Sequence, residues 1–162
     1  MNKILLLFFI FLSSSAFGAG TSSDSTSQVD NSESQVDNSD QIKILYEKAE
    51  KYIEDDDYKK SLKVLKALTK REDLSGFRAD IYNLLGFSYR KQENPDLDKS
   101  FAAYMMALEI DPNHIGAHEY LGELYLMMGN KKKASEILGL LKSLAGVTSK
   151  EYQDLSKAIN QY

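Results

Sequence analysis

The sequence has 162 residues, 20 Lys+Arg against 24 Asp+Glu, a formal net charge of −4, and 43% hydrophobic with 27% charged residues. The absence of cysteine excludes disulfides, thiolate metal sites, a cysteine nucleophile, and a lipobox or other cysteine-borne lipid. The acidic balance argues against a general nucleic-acid binder, and the length suits about one domain.

Lys3 precedes an unbroken apolar run, Ile4 to Leu12, and then the small residues Ser13-Ser14-Ser15-Ala16-Phe17-Gly18. Positive, apolar, then small is the order of a secretory signal peptide, expected over residues 1–18. Cleavage is expected after Gly18, with Ala16 as the alternative. The run is about half of the roughly 20 residues that span a bilayer; an uncleaved anchor is the rival reading. A chain with this address is exported, with the periplasm as its expected compartment and no membrane span once the signal is cut.

Residues 19–41 are mostly Ser, Thr, Asp, Asn and Gln, and Ser27-Gln28-Val29-Asp30-Asn31-Ser32 recurs as Ser34-Gln35-Val36-Asp37-Asn38-Ser39. Such a segment buries too little apolar surface to offset its ordering entropy, so a disordered acidic spacer is expected. Its acids are Asp24, Asp30, Glu33, Asp37 and Asp40. Taking these five from the 24 acidic residues, and Lys3 from the 20 basic ones, leaves 19 of each for residues 42–162. The folded part is formally neutral.

From Ile42 one spacing recurs three times. It reads Leu45-x-x-Lys48-Ala49-x-x-Tyr52 then Ser61, Leu65 and Leu68; Tyr82-x-x-Leu85-Gly86-x-x-Tyr89 then Ser100, Tyr104, Ala107 and Pro112; and His118-x-x-Leu121-Gly122-x-x-Tyr125 then Ala134, Leu138 and Leu141. Tyr52 and Tyr89 lie 37 residues apart, and Tyr89 and Tyr125 lie 36 apart. A period of this size predicts stacked helix pairs. Residues at i, i+3, i+4 and i+7 share a helix face. Ala49, Gly86 and Gly122 therefore sit mid-stripe, where small residues let the second helix of each pair approach.

These segments resemble tetratricopeptide repeats, whose pattern is W-x2-L-G-x2-Y…A-x3-F…P. The second and third match well and share the Asp111-Pro112-Asn113 turn; the first has Lys48 at the Leu place; all three lack the Trp. The resemblance covers about residues 42–144 and implies an all-α solenoid of three pairs over 42–74, 79–114 and 115–147. In the second pair Asn94 is expected to cap the next helix, with Pro95 in its first turn. Gly146 ends the sixth helix. Thr148-x-x-Glu151 reads as a capping box opening a seventh helix over 148–162, which shields the end of the stack.

The constellations that carry chemistry are few. His114 and His118, spaced i and i+4, offer two ligands to one metal, but His118 also occupies an aromatic packing place, and no third ligand is placed. Glu54-Asp55-Asp56-Asp57 lacks a calcium-loop pattern and reads as a turn whose Asp caps the next helix. Lys131-Lys132-Lys133 reads as a solvated turn rather than an anion patch. In each methionine pair, Met105-Met106 and Met127-Met128, at least one member is expected in the core. No nucleotide loop or hydrolase set appears, so neither enzyme activity nor a cofactor is expected.

A surface remains. In the resembled family the first helices of the pairs form a concave wall that binds a peptide or partner helix. Mapped by helical arc, it presents Lys43, Tyr46, Glu50 and Ile53, then Asp80, Asn83, Phe87 and Arg90, then Glu119, Glu123, Leu126 and Met127. Phe87 lies off the packed stripe, free either to anchor a partner or to pack on the next repeat. Some family members clamp a C-terminal carboxylate here; Asn83 and Arg90 suit that role, but Glu119 and Glu123 oppose it. The mixed acidic and apolar wall suits a segment in which Lys or Arg flanks apolar residues. The expected function is a non-catalytic protein- or peptide-binding adaptor or scaffold of the cell envelope. The rivals are a self-associating structural module and a weak periplasmic metal binder through His114 and His118.

Overall fold

The computed structural model describes residues 38–74 and 76–162. The expected signal peptide and nearly all of the expected spacer lie outside them. Seven helices follow in order: α1 (Asn38–Glu54), α2 (Tyr58–Leu68), α3 (Arg78–Lys91), α4 (Leu97–Ile110), α5 (Ile115–Met127), α6 (Lys131–Leu144) and α7 (Lys150–Gln161). The first helix begins inside the stretch read as spacer, because one further turn, with Asp40 at its positive end, leads into the buried Ile42.

Side-chain caps fix most of the other starts. Asp57 accepts the Lys60 N–H, Asp96 that of Lys99, Asn130 that of Lys133 and Ser149 that of Tyr152. Two expected caps move along the chain. Asp96, not Asn94, caps α4, so Pro95 precedes the helix; Ser149, not Thr148, caps α7, and the expected capping box is not the device used. Gly146 closes α6 as expected, with φ +81° and its N–H on the Lys142 carbonyl.

The helices pair as α1/α2, α3/α4 and α5/α6, and α7 packs against both α5 and α6. Second helices also pack on the next first helix, α2 on α3 and α4 on α5. The apolar core falls into three clusters along these layers. Leu62, Leu65, Leu68, Ile81 and Leu85 fill the first part; Tyr104, Leu121 and Leu124 the middle; Leu126, Leu141, Leu155 and Ile159 the last. No described helix is long and apolar enough to cross a membrane.

Two glycines set the closest approaches. A Cβ on Gly86 would lie 2.6 Å from Cε1 of the buried Tyr104, on its pair partner α4. Ser100, also on α4, donates its hydroxyl to the Gly86 carbonyl at 2.8 Å. Gly122 differs from expectation: a Cβ there would meet Leu155 Cδ2 at 2.5 Å, so its space serves α7 rather than α6. Alanine gains about 0.5–1 kcal/mol of helix propensity over glycine, but overpacking a close-packed core costs about 1–3 kcal/mol. Gly86→Ala is therefore expected to be net destabilising, since the rigid Tyr104 ring cannot fold aside. Gly122→Ala is expected to cost less, because Leu155 can change rotamer. Urea melts of the two variants check the order; equal stability to wild type in both would refute the close-packing account.

The methionine expectation fails. Met105, Met106, Met127 and Met128 are all exposed. The buried stripe of α4 is Ser100, Ala103, Tyr104 and Ala107, at i, i+3, i+4 and i+7, and Met105 and Met106 both fall off it. Met127 and Met128 stand at the end of α5, beyond the last buried turn.

Candidate functional site

Successive first helices bring their backbones together, α1 with α3, α3 with α5 and α5 with α7, while the backbones of α2, α4 and α6 do not approach one another in this way among the described residues. A stack whose helices meet along one side bends toward that side. The inner wall is thus built from α1, α3, α5 and α7.

The seam between α3 and α5 runs as a ladder. His114 Nε2 lies 3.1 Å from Asp80 Oδ1. One turn on, a Cβ on Gly116 would lie 3.3 Å from Asn83 Nδ2. The Phe87 and Tyr120 rings then stack with centroids 4.9 Å apart. At the far end Arg90 Nη1 meets Glu123 Oε2 at 2.6 Å, and Arg90 Nε donates to the Tyr104 hydroxyl at 3.3 Å. The Arg90 guanidinium also lies over the Phe87 and Tyr120 rings, 5.4 Å from each centroid. Burial works against its charge, yet Tyr104 and Glu123 outweigh burial and hold it firmly protonated.

The wall residues expected from the sequence divide by burial. Met127 is exposed; Tyr46, Glu50, Ile53, Asp80, Phe87 and Glu123 are half-buried; Lys43 is exposed beside Glu47. Tyr46 packs on Phe77, and burial together with the Glu50 and Asp80 charges pushes its phenol up. Burial likewise pushes the Glu50 carboxyl up. Phe87 takes the packing role, held between Tyr58 and Tyr120. Leu126 is a correction: it is 2% exposed, on the core side with Ala134, Leu141 and Leu155, because α7 covers that arc of α5. Asn83, Arg90 and Glu119 are buried as well. Arg90, spent on Glu123 and Tyr104, is committed away from any carboxylate clamp.

Glu119 stands apart. It is 6% exposed, yet no hydrogen bond or ion pair joins it to any described residue. Burial, with the charges of Glu123, Asp154 and Glu151 against that of Lys150, pushes its carboxyl up to about 8. Asn83 Oδ1 and His118 Nδ1 are the fully buried polar side-chain atoms without a hydrogen-bond partner among the described residues.

The two histidines are engaged structurally. His114 caps α5, its Nδ1 accepting the Ala117 N–H, which leaves the Nε2 hydrogen for Asp80. That bond raises the His114 pKa against the opposing effect of burial. His118 Nε2 donates to the Pro112 carbonyl at 2.9 Å from within the core, and its Nδ1 is buried without a partner. No group of three or more His, Asp or Glu side chains able to hold a metal ion is found among the described residues. The three lysines 131–133 are exposed, as expected for a solvated turn, with Lys133 over the Tyr125 ring. Beside them a cleft of about 390 Å³, lined by Asp98, Phe101, Tyr125, Met128, Asn130 and Lys133, opens between α4, α5 and α6. The sequence reading did not anticipate this cleft, since its residues come from three helices at unrelated register positions.

Residues 103–134 match the family model described as a tetratricopeptide repeat. The match begins within α4 and ends in the first turn of α6, so it bridges the second and third pairs. No curated protein sequence matches the chain. Among solved structures, the chain is similar to the first TPR domain of the human RPAP3 protein, determined by NMR, with TM-score 0.59 and 14% sequence identity over 74% of this chain and 93% of that one. The chain therefore carries a tetratricopeptide repeat within an all-α solenoid of helix pairs that has the tetratricopeptide-domain fold.

Proposed function

We propose that the protein is a non-catalytic adaptor or scaffold that binds a protein or peptide along the wall of α1, α3, α5 and α7. The observation that carries this reading is the composition of that wall. Glu50, Asp80, Glu123 and Asp154 are partly solvated there, beside the half-buried aromatics Tyr46 and Phe87. Asp80, Glu123 and Asp154 each face a basic side chain, His114, Arg90 and Lys150, so the surplus acid of this wall is Glu50 with the buried Glu119, and that surplus gives the face a local negative character. Such a surface suits a segment in which basic residues flank apolar ones. The envelope as its place of work rests on the charged, apolar, then small order of residues 1–18.

The test is crosslinked capture from envelope extract, with the full chain and a Glu50→Lys/Asp80→Lys variant as parallel baits. Both positions are partly exposed, so both baits are expected to keep equal helical content. A protein captured by the wild type and lost with the variant supports the inner wall as the working surface. Equal capture by both places the site elsewhere. Capture of the bait's own copies alone replaces the adaptor with a self-associating module.

A further inference from the structure

We propose that Glu119 and the side-chain carbonyl of Asn83 together receive one cationic side chain, a lysine or an arginine, from a polypeptide lying across α3, α5 and α7. The inference rests on the adaptor reading above and names the chemistry of its ligand.

The seam is satisfied almost everywhere. Asp80 has His114, Glu123 has Arg90, and Lys150 on α7 has Asp154. What remains is two acceptors and no donor. Asn83 Oδ1 is buried with no hydrogen-bond partner, and Glu119 has no partner at 6% exposure. The Asn83 amide lies over Gly116, and Glu119 follows three residues later on the same face of α5, about 4.5 Å along its axis. Buried polar groups are normally paired, and an orphan is costly. Asn83 Oδ1 is fully enclosed, and the Glu119 carboxylate, unpartnered but not fully enclosed, stands about one turn further along the same side of α5; two unpartnered acceptors there call for a ligand rich in N–H donors.

Charge selects which donor. Glu119 faces Glu123 on its own helix and Glu151 and Asp154 on α7, against one cation, Lys150, which is already paired. On α3 the charged groups toward α5 are Asp80 and Arg90, each held by its α5 partner. With Glu119 ionised, a neutral hydroxyl would satisfy one acceptor and leave the charge, and an anion would be repelled. An ammonium or guanidinium group satisfies both acceptors and the charge. The chain's own leading segment does not supply it, since no Lys or Arg occurs between Lys3 and Lys43. In the free protein a proton on Glu119 relieves the site, so an incoming cation displaces that proton.

The test is selection of a displayed random octapeptide library by the full chain, in parallel with Glu119→Gln and Asn83→Leu variants, each first shown to melt cooperatively. The expected result is enrichment of Lys or Arg at one register position by the wild type, lost with Glu119→Gln. A selected peptide is expected to bind Glu119→Gln about 10–100-fold more weakly, the range for losing a charged hydrogen bond. It is also expected to bind the wild type more tightly as pH rises from 6 to 9. Enrichment of peptides with no basic position, or with the same one in Glu119→Gln, overturns the cation site and leaves the adaptor reading standing. No enrichment of any peptide overturns both.

Discussion

Replacing Glu119 with Gln is expected to stabilise the protein at neutral and alkaline pH, and to flatten a fall in wild-type stability that runs from about pH 4.5 to 8. Glu119 titrates at about 8 in the fold, against 4.5 for an ordinary glutamate. Below 4.5 both folded and unfolded chains carry the proton, and the group is neutral to folding. Above 4.5 the unfolded chain ionises first, the folded chain binds more protons, and stability drops until the folded carboxyl also ionises near 8. Each pH unit between those values is worth about 1.4 kcal/mol, so the full effect is of the order of several kcal/mol at the buried site. Glu50 and His114, both raised, slope in the same direction, Glu50 from 4.5 and His114 from 6.5 upward. The lowered carboxylates Asp57, Asp73 and Asp96 act below 3.8 and stay outside this window. Urea midpoints at pH 4, 6.5 and 8 check the prediction: wild type and Glu119→Gln should converge at pH 4 and separate at pH 8. Parallel profiles would mean that water reaches Glu119 freely in the fold. If the variant is both more stable and a poorer binder, the unpaired carboxyl is a stability cost retained for function.

The helix pairs were legible because their signal is periodic and redundant. Three copies of one i, i+3, i+4, i+7 stripe place Leu45 and Ala49, Tyr82 and Gly86, and His118 and Gly122 without reference to any neighbour. What sequence alone missed depends on a third helix. Leu126 lies on the wall arc of α5 and is covered because α6 and α7 pack over it. Gly122 sits at the small-residue place, but the side chain whose approach it permits, Leu155, lies 33 residues on, in α7. One of Met105 and Met106 reads as core by hydrophobicity, yet it is Tyr104 that faces Gly86, and both methionines are exposed. Of the candidate wall, residue identity was visible and ionisation was not. Nothing in the spacing of Glu119 and Glu123 says that Arg90, 33 residues before Glu123, takes one carboxylate and leaves the other bare.

That division of roles makes the Arg90–Glu123 pair asymmetric, and Glu123→Ala is expected to cost more stability than Arg90→Met. The Arg90 side chain is 6% exposed and that of Glu123 28%. Without Arg90, Glu123 can turn toward water, and Met covers the Phe87 and Tyr120 rings with an unbranched apolar chain. Without Glu123, the guanidinium stays enclosed with the Tyr104 hydroxyl and two ring faces as its company. Removing one partner of a buried pair costs about 3–5 kcal/mol, because the other is left as an uncompensated charge. Glu123→Ala belongs near the lower end of that range, since water reaches one side of the pair, and Arg90→Met is expected to cost about half as much. The double variant Arg90→Met/Glu123→Leu should recover most of the loss, as buried ion pairs replaced by apolar groups of similar volume commonly do. Chemical denaturation of the two single variants and the double, at pH 6 where Glu119 retains its proton, measures the cycle. A larger loss for Arg90→Met than for Glu123→Ala would show that the cation–aromatic stack, rather than the ion pair, holds α3 to α5.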